Sequence, residues 1–374
     1  MIIHRIAGFG AAVFLLAAPA AAQIDTRQDN TAYGGSAAEF LLLGAGARGA
    51  ALGGAFAALT TDVTALYYNP AGLAQLRRPG LVVSSYSYVA DTRYTWAGVA
   101  YPMSGGVRSV GISLASFGFS DQPVYTLDNP DGDGRTYSVS ETMVSATYAQ
   151  NFSDRFAAGF SVKFISDRLA AVSATGVAVD FGTSFHALVG TRPLRASFVI
   201  QNLGSTLRHD GQGLDAGVSR IPPFGTVDVP QEGQPARLRT TPWTMPVLFR
   251  VGLAVDLVSQ STSRVTLLSE FSQANNTSPG AGVGLELAGA NLGGSGFSLA
   301  ARGSYAVNAD NVIDDINLGS LPTAETSGSF TADGLALGGG LAYERRNGRV
   351  GFDYAWKSFG PLGNANFFTL TIAW

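Results

Sequence analysis

Ionisable side chains recur at roughly one per alternating segment through the later part of this chain: Lys163, Asp180, Arg195, Asp256, Glu270, Glu286, Arg302, Glu344 and Asp353. The signs are mixed. Each sits on the Ser-, Thr-, Gly- and Ala-rich side of an alternation whose other side is apolar. Charges spread in this way can neutralise one another across an enclosed polar space. They do not form the close carboxylate pair used in general acid–base chemistry. Arg48 stands apart as the strong cation of a small-residue, apolar N-terminal stretch. Once buried it needs a carboxylate or carbonyls, and Glu270, Glu286 and Glu344 are the acids expected to meet it.

Other motifs carry less. Gly44-Ala45-Gly46-Ala47-Arg48-Gly49 matches G-x-G-x-x-G, the turn that brings backbone amides to a pyrophosphate. A dinucleotide site also needs a preceding strand, a following helix and an acid about 20 residues on. Asp62 comes too early and no βαβ unit follows, so the glycines read as a backbone built to pack tightly. Asn129-Pro130-Asp131-Gly132-Asp133-Gly134 sets oxygen donors at alternate positions, like the start of a calcium loop. Ser140 holds the place of its closing Glu and Glu141 is one residue late, so a plain turn is expected. His4, His186 and His209 are scattered, Asp314-Asp315 falls in a loop, and the sequon Asn275-Asn276-Thr277 falls in a short turn. No catalytic constellation, cofactor site or metal site is expected. A membrane lipid acylase would need a Ser/His arrangement that these spacings do not offer.

The elements that must position the charges are strands. From Gly80 onward the chain alternates with period two. Phe156, Phe160, Val162 and Phe164 oppose Ser161 and Lys163. Val247, Phe249, Val251, Leu253 and Val255 oppose Arg250 and Asp256. Phe368, Leu370, Ile372 and Trp374 oppose Thr369 and Thr371. The pattern predicts about fourteen strands, at 80–90, 92–102, 107–119, 137–150, 155–167, 174–186, 192–203, 244–258, 262–273, 280–290, 296–307, 333–346, 348–357 and 364–374. Most are near the roughly 9–11 residues of a strand that crosses a bilayer at a tilt. A soluble sandwich would turn a densely charged face to water. Here only 14% of residues are charged, against about 25% in an average soluble domain, and the continuous face is greasy. Lipid outside and a polar lumen inside fit this division. The long connections, 120–136, 204–243 and 308–332, all fall at odd places in the strand order. Short turns at one mouth and long loops at the other would give that parity, and an even strand count returns both termini to the short-turn side. The net charge of −3 argues against nucleic acid, which needs clustered Lys and Arg.

Residues 1–22 read as a secretory signal: His4 and Arg5, an apolar run over 6–18, and Ala20-Ala21-Ala22 before Gln23. Residues 23–79 read as a compact plug of small helices and tight turns, and 80–374 as a transmembrane antiparallel β-barrel around it. In the plug, Leu52, Phe56 and Leu59 follow Arg48 at helical spacing. In Asn69-Pro70-Ala71-Gly72-Leu73, Asn69 can cap the next turn and Pro70 suits its first position, with Gly72 free to take a positive φ.

The run GAGARGAALGGAFAALTTDVTALYYNPAGLA resembles the N-terminal signature of the PorV/PorQ family, outer-membrane proteins related to the FadL long-chain fatty-acid transporters. The likeness lies in Gly46, Arg48, Gly49, Gly53, Gly54, Ala55, Asp62, Tyr68, Asn69, Pro70, Ala71, Gly72 and Leu73. It implies a fourteen-strand barrel in the bacterial cell outer membrane with a plug carrying the Asn-Pro-Ala-Gly turn. Two roles follow from it. One is uptake or binding of hydrophobic compounds. The other is a type IX secretion role, binding and shuttling exported cargo proteins. The lipid bilayer is the expected partner in either, with a hydrophobic small molecule or a cargo protein as the second.

Overall fold

A computed structural model describes residues 33–220, 231–308, 334–346 and 348–374. The signal expected at 1–22, Asp314-Asp315 and nearly all of 308–332 lie outside the described residues, as does part of 204–243.

Strands β1 (Gly80–Ser87), β2 (Arg93–Met103), β3 (Arg108–Pro123), β4 (Thr136–Ser153), β5 (Phe156–Leu169), β6 (Val172–Val189) and β7 (Arg192–Gly204) follow one another round the wall. After a hairpin, β8 (Asp215–Arg220) and β9 (Gln231–Arg237), the wall resumes with β10 (Leu248–Ser259), β11 (Ser263–Ala274), β12 (Gly280–Gly289) and β13 (Phe297–Asn308). It finishes with β14 (Leu335–Arg345), β15 (Gly348–Ser358) and β16 (Asn364–Ala373). β7 pairs with β10, so β8 and β9 stand apart as a small sheet, and β16 pairs with β1 to close an antiparallel barrel. Trp374 N–H donates to Pro79 C=O at 3.1 Å, which ties the two ends of the wall together. The strands fall where the alternation puts them, within a few residues. β4 and β6 run longer, to 18 residues each.

The side-chain phase is that of a barrel turned inside out. Along β5, Ala157, Ser161, Lys163, Ile165 and Asp167 are buried while Phe160, Val162 and Phe164 are exposed. Every neighbouring strand repeats this, with Ile112, Val144, Val177, Leu253, Leu285, Leu341 and Phe352 also exposed. An apolar belt of that extent is rare on proteins that live in water, and it is the lipid-facing band of a membrane barrel. Among the described residues no helix is long and apolar enough to cross a membrane.

The lumen is filled by the segment before β1. A 3-10 turn at Glu39–Leu42 leads to α1 (Ala47–Ala51), α2 (Ala65–Tyr68) and a second 3-10 turn at Pro70–Gln75. Phe40, Leu52, Phe56, Leu59, Leu66, Tyr68 and Leu73 form its core against the wall. The helix expected through Leu52, Phe56 and Leu59 does not continue. Gly53 and Gly54 take φ of 64° and 84°, a left-handed step that right-handed helices cannot absorb, and residues 52–59 turn instead. Gly72 also differs: its φ is not positive, and its need for glycine is steric, since a methyl there would lie 2.2 Å from Thr60 C=O. The plug spans the lumen lengthwise. Tyr33 bonds Ser278 in the β11–β12 turn, at the long-loop mouth and opposite Trp374, so the described N-terminal end does not return to the short-turn side.

Asn69 joins the plug to the wall. Its Oδ1 accepts from Ala71 N–H at 3.1 Å, and its Nδ2 donates to Ala57 C=O at 3.0 Å and to Thr183 C=O of β6 at 3.1 Å. Gly182 leaves room for it, because a methyl there would lie 2.2 Å from Asn69 Oδ1. Asn69→Ala removes the cap and leaves buried carbonyls unpaired. It is expected to lower unfolding free energy by roughly 2–4 kcal/mol, read from urea titration in lipid vesicles.

Candidate functional site

Beneath the long loops lies a chamber of about 710 Å³. Its floor is the plug segment Ala37–Leu43, and its walls include Tyr88, Phe117, Phe359, Trp243 and Leu169. The rings meet edge-on: Tyr88 lies 6.3 Å from Phe117 and 5.3 Å from Phe359 between centroids. Leu42, Leu43 and Phe359 are shared with a second chamber of about 420 Å³ further down, lined also by Tyr68, Tyr86, Phe367, Arg250, Glu270 and Lys357. A third space of about 600 Å³ opens at the short-turn mouth, among Arg48, Asp62, Arg264, Glu286, Arg302 and Asp353. The plug core stands between the second and third.

Salt links fasten that plug. Glu286, 1% exposed, receives Arg48 Nε and Nη2 at 2.8 and 2.9 Å, Arg302 Nε at 2.8 Å and Arg264 Nη2 at 3.0 Å. Arg48 Nη1 also reaches Asp62 at 2.9 Å, and Arg302 Nη1 reaches Asp353 at 2.6 Å. Burial works against the Arg48 charge, but attraction and hydrogen bonding to Glu286, with Asp62 and Asp353, together outweigh it and raise its pKa. Higher up, Arg250 Nη1 bonds Glu270 at 3.0 Å and the plug's Gly54 C=O at 3.1 Å, while Glu270 accepts Ala57 N–H at 2.9 Å. Burial pushes the neighbouring Tyr67 hydroxyl up to about 12, so it stays neutral.

The remaining inward charges pair within the wall. Lys163 lies 2.7 Å from Asp180, and Arg195 meets Asp256, which also accepts from Thr266 at 2.7 Å. Glu344 does not reach Arg48. It stands near the end of β14, exposed, and pairs with Arg78 at 3.2 Å, because Arg48 sits deeper than the rim. In the turn that resembles the start of a calcium loop, Asp133 has both carboxylate oxygens on Arg135. Among the described residues no group of three or more His, Cys, Asp or Glu could hold a metal ion. Two histidines scattered in sequence gain partners in the fold: His186 Nε2 lies 3.1 Å from Ser184 Oγ, and His209 Nε2 lies 3.0 Å from Asp167 Oδ2. The Ser184 pair lines none of these chambers. The Asp167 pair, with Glu141, faces the upper one. These were not singled out by spacing, although Asp167 shares the inward phase of Lys163.

Residues 13–170 match the family described as "Uncharacterised protein family (UPF0164)". No curated protein sequence matches. Solved structures do. The Pseudomonas putida toluene transporter TodX superposes with a TM-score of 0.53 at 14% identity, covering 88% of this chain and 96% of that one. The Ralstonia pickettii toluene transporter TbuX gives 0.52 at 12%, covering 89% and 98%. The CymD monoaromatic hydrocarbon channel gives 0.50 at 13%, covering 89% and 97%. At such identities the likeness is one of fold, and it extends over almost the whole of each barrel.

Proposed function

We propose that this chain sits in the bacterial outer membrane and admits hydrophobic compounds through a stoppered barrel, as the toluene transporters of the same fold do for theirs. The observation that carries the reading is the pair of ring-lined chambers above the plug, joined at Leu42, Leu43 and Phe359. A lumen filled by a packed segment cannot serve as an open water pore. A volume of about 710 Å³ falls within the roughly 300–1,000 Å³ of small-molecule sites. It is small for a folded cargo protein, so the secretion role suggested by the PorV/PorQ resemblance has less support, and that kinship remains part of the proposal. The same reading takes 1–22 as a removed signal.

Expression in cells lacking other hydrocarbon channels is expected to raise the initial rate of radiolabelled toluene uptake. Leu43→Trp, which adds bulk at the neck between the chambers, is expected to return uptake to the vector level while heat-modified gel migration stays that of the folded barrel. Equal uptake with and without the protein would refute the reading.

A further inference from the structure

The upper chamber carries a charge pattern that passage of neutral hydrocarbon does not use. Among the described residues its lining includes Glu39, Glu141 and Asp167 and no Lys or Arg. The one basic side chain among the described lining residues, His209, is taken up by Asp167 Oδ2 at 3.0 Å. Glu141 and Asp167 are direct partners across the β4–β5 ladder, an arrangement in which like charges destabilise each other. Asp167 is 2% exposed, and among the described residues its Oδ1 has no hydrogen-bond partner. A carboxylate oxygen cut off from water and without a donor is a position waiting for a cation.

The rings opposite complete the recognition. Tyr88, Phe117, Phe359 and Trp243 present aromatic surface to the same space, and ring faces attract ammonium groups as well as apolar bodies. A metal ion would not use them. A carboxylate-bearing compound would meet an acidic lining.

We propose that the upper chamber selects hydrophobic amines: an aromatic or alkyl body among the rings, and a protonated amino group donating to Asp167 and Glu141. This rests on the uptake reading and narrows it to a substrate class.

The test compares 2-phenylethylamine, its neutral isostere propylbenzene and the anion 3-phenylpropionate. Each is measured by equilibrium dialysis against the protein in lipid nanodiscs at neutral pH, with empty nanodiscs subtracted. The amine is expected to bind about tenfold more tightly than propylbenzene, and the anion most weakly. E141Q and D167N are each expected to erase the difference between amine and isostere. Folding is checked by heat-modified migration, and if D167N does not fold, E141Q decides. Propylbenzene binding as tightly as the amine in the wild type, or an amine preference that survives E141Q, would overturn the inference and leave the uptake reading standing. Binding of none of the three would overturn both.

Discussion

Glu286→Ala is expected to free the plug from its wall and to be among the most damaging single changes in the chain. The carboxylate lies between three guanidinium groups, and its removal leaves Arg48, Arg264 and Arg302 facing one another without the one acid they share. Breaking a buried ion pair by deleting one partner costs about 3–5 kcal/mol. Here Arg48 keeps Asp62, Arg302 keeps Asp353, and Arg264, whose side chain is 38% exposed, can turn to water, so the cost stays within that range. Urea unfolding in lipid vesicles should show the loss. Planar-bilayer recordings should show a rise in ion conductance as α1 leaves its seat. Arg48→Ala is the control. It leaves Glu286 paired with two arginines, so it should cost less, about 1–3 kcal/mol, yet still raise conductance. If Arg48→Ala and Glu286→Ala both left conductance at the wild-type level, the plug would be held by packing alone.

The wall was legible because a barrel in lipid repeats one instruction. Each residue faces either acyl chains or the lumen, so Phe160, Val162 and Phe164 declare β5 and its orientation without help from the rest of the chain. Loop parity added which mouth carries the long connections. Register was not legible, and register decides partners. Arg302 meets Glu286 because β12 and β13 align them as direct neighbours. Nothing in the spacing singled out Glu286 over Glu270 or Glu344 for Arg48. Apolar spacing through Leu59 suggests a helix, but at Gly53 and Gly54 the backbone takes another path. The upper chamber was hidden for a different reason. Its residues come from the plug, the β1–β2 turn, three strands, the long loop before β10 and the β15–β16 turn, and only closure of the barrel brings them together.

The Lys163–Asp180 pair separates stability from specificity. Lys163 is 1% exposed and Asp180 is fully buried. Asn202 links both: its Oδ1 takes Lys163 Nζ at 2.6 Å and its N–H donates to Asp180 at 2.8 Å. Asn202 has a φ of 62° and sits where the β6–β7 register shifts between Val179 and Phe181. Asp180→Ala strands an ammonium in the wall and an Asn202 N–H without an acceptor, so a loss of about 3–5 kcal/mol is expected. Replacing both charges, as in Lys163→Met with Asp180→Val, removes the stranded ion. It is expected to recover most of that loss, since apolar substitutes for buried pairs are often neutral. What the double variant should not recover is the register: with the bulge no longer pinned by Asp180, β6 and β7 can slide. Hydrogen exchange of their amides should then quicken relative to β4 and β5, although the urea midpoint is near wild type. A double variant as unstable as Asp180→Ala would show that the pair contributes net stability. Unchanged exchange at recovered stability would show that the turn at Asn202 holds the register without it.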